Sequence, residues 1–294
     1  MGKVRLIIHC ALRNIRKWRG DLRIYLLLAV SAAFVYWTFA GVREIAAQTG
    51  TGVTPWVFSF FLSMPAMQAL YGCVITLLFC NAPFSDGGTP FLAVRTGRRC
   101  WIEGQLCYIA LASLIAVISL FLLTLIELLP YVELSGDWGS LMRLIGSTPD
   151  PAGRYGVEMA VDVYTQFLSC RSAVEGFLLT GLMMWLVAMF LGTVIAFFNV
   201  LTGKNVGIVV SAVLSFLAYL SAYVGNLLFG NGVFYLSPVS WCSLYNLSSP
   251  GIANYGVPTV GCAVSVLVIG SLLLSVGTVL LTGKRDFSIT KEAL

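Results

Sequence analysis

Residues 173–200 read AVEGFLLTGLMMWLVAMFLGTVIAFFNV, and after Glu175 the stretch carries no charge. A helix needs about 20 apolar residues to cross the roughly 30 Å hydrocarbon core of a bilayer. This run is long enough and has no polar face to turn toward water. It therefore reads as a transmembrane helix, and its neighbours can be judged by the same measure.

Five further runs qualify, at about Leu22–Val42, Pro55–Cys80, Gln105–Leu129, Val206–Phe229 and Val257–Leu281. Pro65 falls inside the second run, so a kink is expected there. Composition points the same way. Hydrophobic residues make up 58% of the 294 and charged residues 11%, against about 25% charged in a soluble domain. The expected fold is an all-α polytopic membrane protein. It has six transmembrane helices, an N-terminal amphipathic interfacial helix and no separate soluble domain. Residues 1–21 form the interfacial helix, 22–282 the transmembrane domain and 283–294 a tail.

Lysine and arginine counts orient the chain, because cytoplasmic segments are enriched in both. Residues 1–23, the 81–104 loop, the turn at Lys204 and the tail hold fourteen of the eighteen basic residues. The opposite side holds Arg43, Arg143, Arg154 and Arg171. Both termini are thus expected in the cytoplasm, with the protein in the plasma membrane. The first apolar run is longer than the 7–15 residues of a signal-peptide core, so a retained span is expected.

In the first twenty residues Val4, Ile8, Ala11, Leu12, Ile15 and Trp18 recur at helical spacing, and Lys3, Arg13, Arg16, Lys17 and Arg19 fall mostly elsewhere. Such a helix suits the lipid interface, with Trp18 at headgroup level and the cations near anionic lipid. On the far side, residues 131–170 carry Glu133, Asp137, Asp150, Glu158 and Asp162 and read as solvated. Val157–Phe167 has near-helical apolar spacing within them. In the second outer segment, 230–256, Ser237-Pro238 is a cap followed by proline at a first helical position, which predicts a short helix over Pro238–Tyr245.

The eight cysteines contain no C-x-x-C pair and read as small apolar packing residues. Cys170 with Cys242 is the one outward-facing pair, and its state is left open. The only histidine is His9. There is no H-E-x-x-H, no G-x-S-x-G and no G-x-x-x-x-G-K-[ST], so no catalytic residue, metal ligand or nucleotide loop is assigned to this chain. The spans hold almost no ionisable group of the kind a proton relay uses. Three polar residues remain as candidates for a substrate path or gate: Gln68, mid-run beside Pro65, and Glu127 and Glu175, near the outer ends of the third and fourth runs. The two glutamates are placed to face each other or simply to reach the interface.

The segment NAPFSDGGTPFLAVRTGRRCWIEGQ, residues 81–105, is the most informative cytoplasmic one. Thr89-Pro90 reads as another cap and proline start. Phe91 and Leu92 would be the apolar face of a short helix that Gly97 stops, rimmed by Arg95, Arg98 and Arg99. It reads equally as a partner-binding knob or as an ordinary basic loop.

The whole layout resembles a permease subunit of the ABC-2 type exporters. It has a basic amphipathic elbow (Lys3–Arg19), six spans, a coupling helix at about Thr89–Gly97 and small outer helices at about Pro238–Tyr245. The forty-residue outer segment between the third and fourth runs departs from that pattern. The resemblance implies a separate P-loop ATPase partner that binds ATP and Mg, a second copy or a related permease, and a bacterial membrane. It also implies export of an amphiphilic peptide, drug or lipid-like molecule. No enzyme activity or cofactor is then expected in this chain, and lipid rather than nucleic acid is its other partner. The alternative is a membrane sensor or immunity protein that binds a ligand through residues 131–170.

Overall fold

The computed structural model describes residues 2–84, 95–248 and 255–284. They are helical throughout, apart from loops and the isolated bridges Val53 to Val132 and Ser248 to Thr259. Four helices are long and apolar enough to cross a membrane. They are α5 (Arg98–Leu128) with the turn that follows it, α9 (Ala173–Thr202), α10 (Val206–Leu220) with its continuation to Leu236, and α12 (Val260–Lys284).

The first two runs are shorter than their sequences suggest. Helix α2 (Leu22–Thr38) has 17 residues and ends at Phe39, after which α3 (Ala40–Thr49) follows directly. Gly41 lies where α3 meets the carbonyl of Glu158, and a Cβ there would overlap that oxygen. Helix α4 (Pro65–Phe79) has only 15 residues, about 22 Å at 1.5 Å per residue. Pro65 does not kink this run. It occupies the first turn, where its missing N–H costs nothing and its fixed φ suits the helix. The preceding residues form a tight 3-10 turn, Pro55–Phe60, and a buried apolar plug that includes Phe58, Phe60, Phe61 and Leu62.

Helix α1 (Lys3–Lys17) leaves the bundle at 77° to α2. Asp21 marks the corner, its carboxylate accepting from the Arg23 backbone N–H to cap α2. The two arms pack on the same helix from different sides.

Helix α9 is the axis of the bundle. Its side chains meet α4, α5, α10 and α12, and 61% of its apolar window is buried. Small residues set the approaches. A Cβ on Gly192 would lie 2.5 Å from Ile109 of α5 and 2.9 Å from Phe79 of α4. Phe190 and Phe197 of α9 seat over Gly270 and Gly277 of α12. Both pairs are seven residues apart in the same sense, so α9 and α12 run parallel. Helices α4 and α10 run antiparallel, with Gly72 against Ser215 and the Thr76 and Ser211 hydroxyls hydrogen-bonded at 2.7 Å. Buried small and hydroxyl residues of this kind let helices approach where lipid offers no hydrophobic drive.

At the other end of the bundle, residues 131–170 do not form a solvated loop. They build a cap from α6 (Gly139–Ser147), α7 (Pro151–Tyr155) and α8 (Thr165–Cys170). Trp138, Leu141, Met142, Ile145, Val161 and Phe167 are buried in the main core. The Trp138 ring rests on Gly176 of α9 and donates to the Arg171 carbonyl at 2.9 Å. The expected helix over Val157–Phe167 is displaced. Residues 157–164 form a strap without regular secondary structure that buries Val157, Ala160 and Val161, and α8 starts at Thr165.

The expected helix over Pro238–Tyr245 is instead two 3-10 turns, Pro238–Cys242 and Leu244–Asn246. Pro238 is at the first position as expected, but the Ser237 hydroxyl caps nothing and is buried without a partner. The chain reaches these turns through a π-helical turn, Ser221–Gly225, and the short α11 (Asn226–Phe229). Cys170 is exposed and Cys242 buried, and no disulfide joins the two. Burial pushes the Cys242 thiol far up.

Candidate functional site

The basic end of the bundle gathers the elements that the sequence singled out. Helix α1 lies across the start of α5, touching at Gly104, where a Cβ would come within 2.5 Å of Cys10. Around this close approach the contacts are polar and specific. Asn14 donates to Gln105, both of them buried. Lys3 pairs with Glu103 at 3.0 Å, and Trp18 donates to the Tyr108 hydroxyl at 2.8 Å. The Trp18 ring also packs edge-on to Tyr108. The exposed side of α1 carries Val4, Ile8 and Leu12 with Arg5, Arg13, Arg16 and Arg19.

The same end anchors the 81–104 segment. Asn199, near the end of α9, donates to the Ala82 carbonyl at 2.8 Å and accepts from the Gly207 N–H of α10 at 2.8 Å. The Phe84 ring packs against Tyr108 and Phe79, with centroids 4.7 and 6.3 Å away. Arg23 links its neighbour Asp21 to the Cys80 sulfur at 3.0 Å, and the hydrogen bond from Arg23 holds the Asp21 carboxyl below its ordinary range. At the far side of the segment Gly97 takes φ +81, a conformation natural to glycine, and α5 begins at Arg98. Arg95, Arg98 and Arg99 are exposed. Thr89, Pro90, Phe91 and Leu92 lie outside the described residues.

The three polar candidates do not converge. Gln68 is not mid-helix: it lies in the first turn of α4, fully buried, donating to the Leu62 carbonyl at 3.0 Å. Asn246 donates to it at 3.4 Å and to the Ser240 carbonyl at 3.0 Å. Gln68 thus ties the 3-10 turns to α4. Glu127 pairs with Arg43, whose guanidinium lies 4.0 Å over the Tyr36 ring. Glu175 pairs with Arg171 one turn away in the first turn of α9. Each of these two glutamates is paired with a different arginine. Arg43 is the partner that sequence reasoning missed, because it is 84 positions from Glu127. Asn14, Gln105 and Asn199 were missed too. Their one signal was an amide in or beside an apolar run.

A second candidate lies in the cap. A cavity of about 690 Å³ opens between α6, α7, the 159–167 strap and Tyr245. The rings of Tyr164 and Tyr245 stack in its wall, 3.9 Å apart and 11° from parallel. Asp150 and Asp162 are its charged lining residues. No protein-family model, curated protein or solved structure matches this chain.

Proposed function

We propose that this chain is the membrane subunit of an ATP-driven exporter of the ABC-2 type. On this reading it crosses the membrane six times, with the basic end in the cytoplasm. A separate P-loop ATPase supplies the energy, and the chain itself performs no catalysis. The observation that carries the reading is the amphipathic α1, bent 77° from α2 and locked to the first turns of α5. A helix held in this way transmits a push on the 81–104 segment directly into α5. Asn199 passes the same push to α9 and α10. Helix directions support six crossings: α9 runs parallel to α12, and α4 runs antiparallel to α10, as alternating spans require.

The exported molecule would be amphiphilic, and a second copy or related permease would complete its path. The test is co-purification. A P-loop ATPase from the native membrane should be captured by the wild type. Capture should fail with Leu92→Asp or with Arg98→Glu and Arg99→Glu together, while membrane insertion is unchanged. Equal capture by those variants would overturn the assignment of the coupling segment, and no ATPase in any mild extract would overturn the exporter.

The folded cap favours a second reading, a sensor that binds a ligand on the opposite face. A sensor needs no ATPase, so the same capture experiment separates the two.

A further inference from the structure

From the cap cavity we infer a binding site for an organic cation, formed by Asp162, Asp150 and the stacked Tyr164 and Tyr245. The inference rests neither on an ATPase nor on transport.

The site is built from three separate parts of the chain. Helices α6 and α7 with their connecting turn give one wall, through Gly146, Thr148 and Asp150. The strap and the start of α8 give the second, through Asp162 and Tyr164. Tyr245 gives the third, from between α10 and α12, and its stack on Tyr164 closes the wall. The strap is pinned from below, where the Asp162 N–H donates to Ser63 at 2.9 Å. The volume of about 690 Å³ lies within the range of small-molecule sites, about 300–1,000 Å³.

Its electrostatics have one sign. Residues 131–170 carry five carboxylates and two arginines. Arg143 is paired with Asp137 and Arg154 lies over the Tyr155 ring, and neither lines the cavity. Asp150 is exposed and caps α7 by accepting from the Gly153 N–H, and among the described residues no lysine or arginine forms an ion pair with it. Asp162 makes only a long contact with the Tyr164 hydroxyl, at 3.5 Å. Asp162 remains exposed on one side, and partial burial on the other raises its carboxyl above its ordinary value; burial together with the adjacent carboxylate and Tyr245 raises the Tyr164 phenol. A carboxylate in that position is short of a positive partner. Aromatic faces attract cations, most strongly when the cation is partly stripped of water. Two tyrosines beside two carboxylates therefore select a soft organic cation such as an amine, guanidinium or quaternary ammonium group. They select against anions outright, and against neutral molecules by the missing charge. The apolar lining residues Ile145, Met159 and Val161 would receive the body of such a ligand.

The test uses the full chain in nanodiscs of zwitterionic lipid and equilibrium dialysis of benzyltrimethylammonium. Benzyl alcohol and benzenesulfonate are the neutral and anionic controls. The wild type should bind the cation saturably and at one site, and neither control should compete. Asp162→Asn should weaken binding about tenfold and Tyr245→Leu about threefold, in line with the usual worth of a carboxylate contact and a cation–π contact. Asp150→Asn retains the helix cap and should weaken binding by about threefold. It reads the same charge effect if Asp162→Asn does not fold. Absent saturable binding, equal binding of benzyl alcohol, or an unchanged affinity in both aspartate variants would each overturn the site.

Discussion

Helices α9 and α12 are almost interchangeable as sequences: long, apolar and rich in small residues. In the fold they are opposites. Helix α9 has 61% of its apolar window buried, and α12 has 17%. Leu191 and Met183 of α9 are fully buried, whereas Leu272, Leu273 and Val276 of α12 are more than half exposed. Lipid is as apolar as leucine, so hydrophobicity does not choose between helix neighbours and lipid. The difference comes from packing. Side chains in the core of α9 touch protein on every side, and those on the outer face of α12 touch only a fluid.

This contrast can be broken by truncation. Leu191→Ala on α9 should cost about 2 kcal/mol, toward the low end for such changes because the cavity term survives in lipid while the transfer term largely cancels. Leu273→Ala on α12 should stay within about 0.5 kcal/mol. Thermal unfolding in one detergent reads both, and equal losses would remove the distinction. A smaller effect sharpens it. Gly192→Ala forces a methyl against Ile109 and Phe79 and should cost about 1–3 kcal/mol. Gly261→Ala near the start of α12 meets nothing within 4 Å and should be neutral or slightly stabilising. Gly277→Ala is intermediate. It meets the Phe197 ring at 2.7 Å, and a ring edge can yield, so a loss of about 1 kcal/mol is expected. Trp18→Phe tests a hydrogen bond instead of a close approach: it keeps the ring against Tyr108 but removes the 2.8 Å hydrogen bond. It should lower stability by about 1 kcal/mol. It should also loosen α1, read as faster hydrogen exchange across Cys10–Ile15.

Much of the architecture was legible in particular residues. Helix α9 starts at Ala173 as its apolar run does, and Asp21 ends the basic helix where the chain turns. The bend of α1 followed from its amphipathic spacing. Other features were not legible, for a common reason. Pro55–Cys80 is apolar throughout, but hydropathy does not distinguish a helix from a buried 3-10 plug, so the break before Pro65 was read as a kink. Val157–Phe167 has helical spacing, but its first eight residues form an irregular strap and only Thr165–Phe167 are helical, because tertiary contacts outweighed local period. Glu127 was correctly placed near the cap end, but its arginine partner comes from a different helix. The cap cavity needs three segments brought together, and no one of them suggests it.

The sequence by itself determined that this chain is built of apolar helices with one strongly basic end. Both properties are written along the chain, in apolar runs long enough to cross a bilayer and in the segments where lysine and arginine gather. Only the tertiary structure decided that 173–200 is the axis and 260–284 the rim. It alone turned the acidic 131–170 segment into a folded cap and gave Glu127 its arginine, Arg43. Those outcomes depend on shape, on where a glycine lets a ring approach or an amide finds a carbonyl. In a solvent as apolar as the side chains themselves, shape and hydrogen bonding are what remain to choose between neighbours.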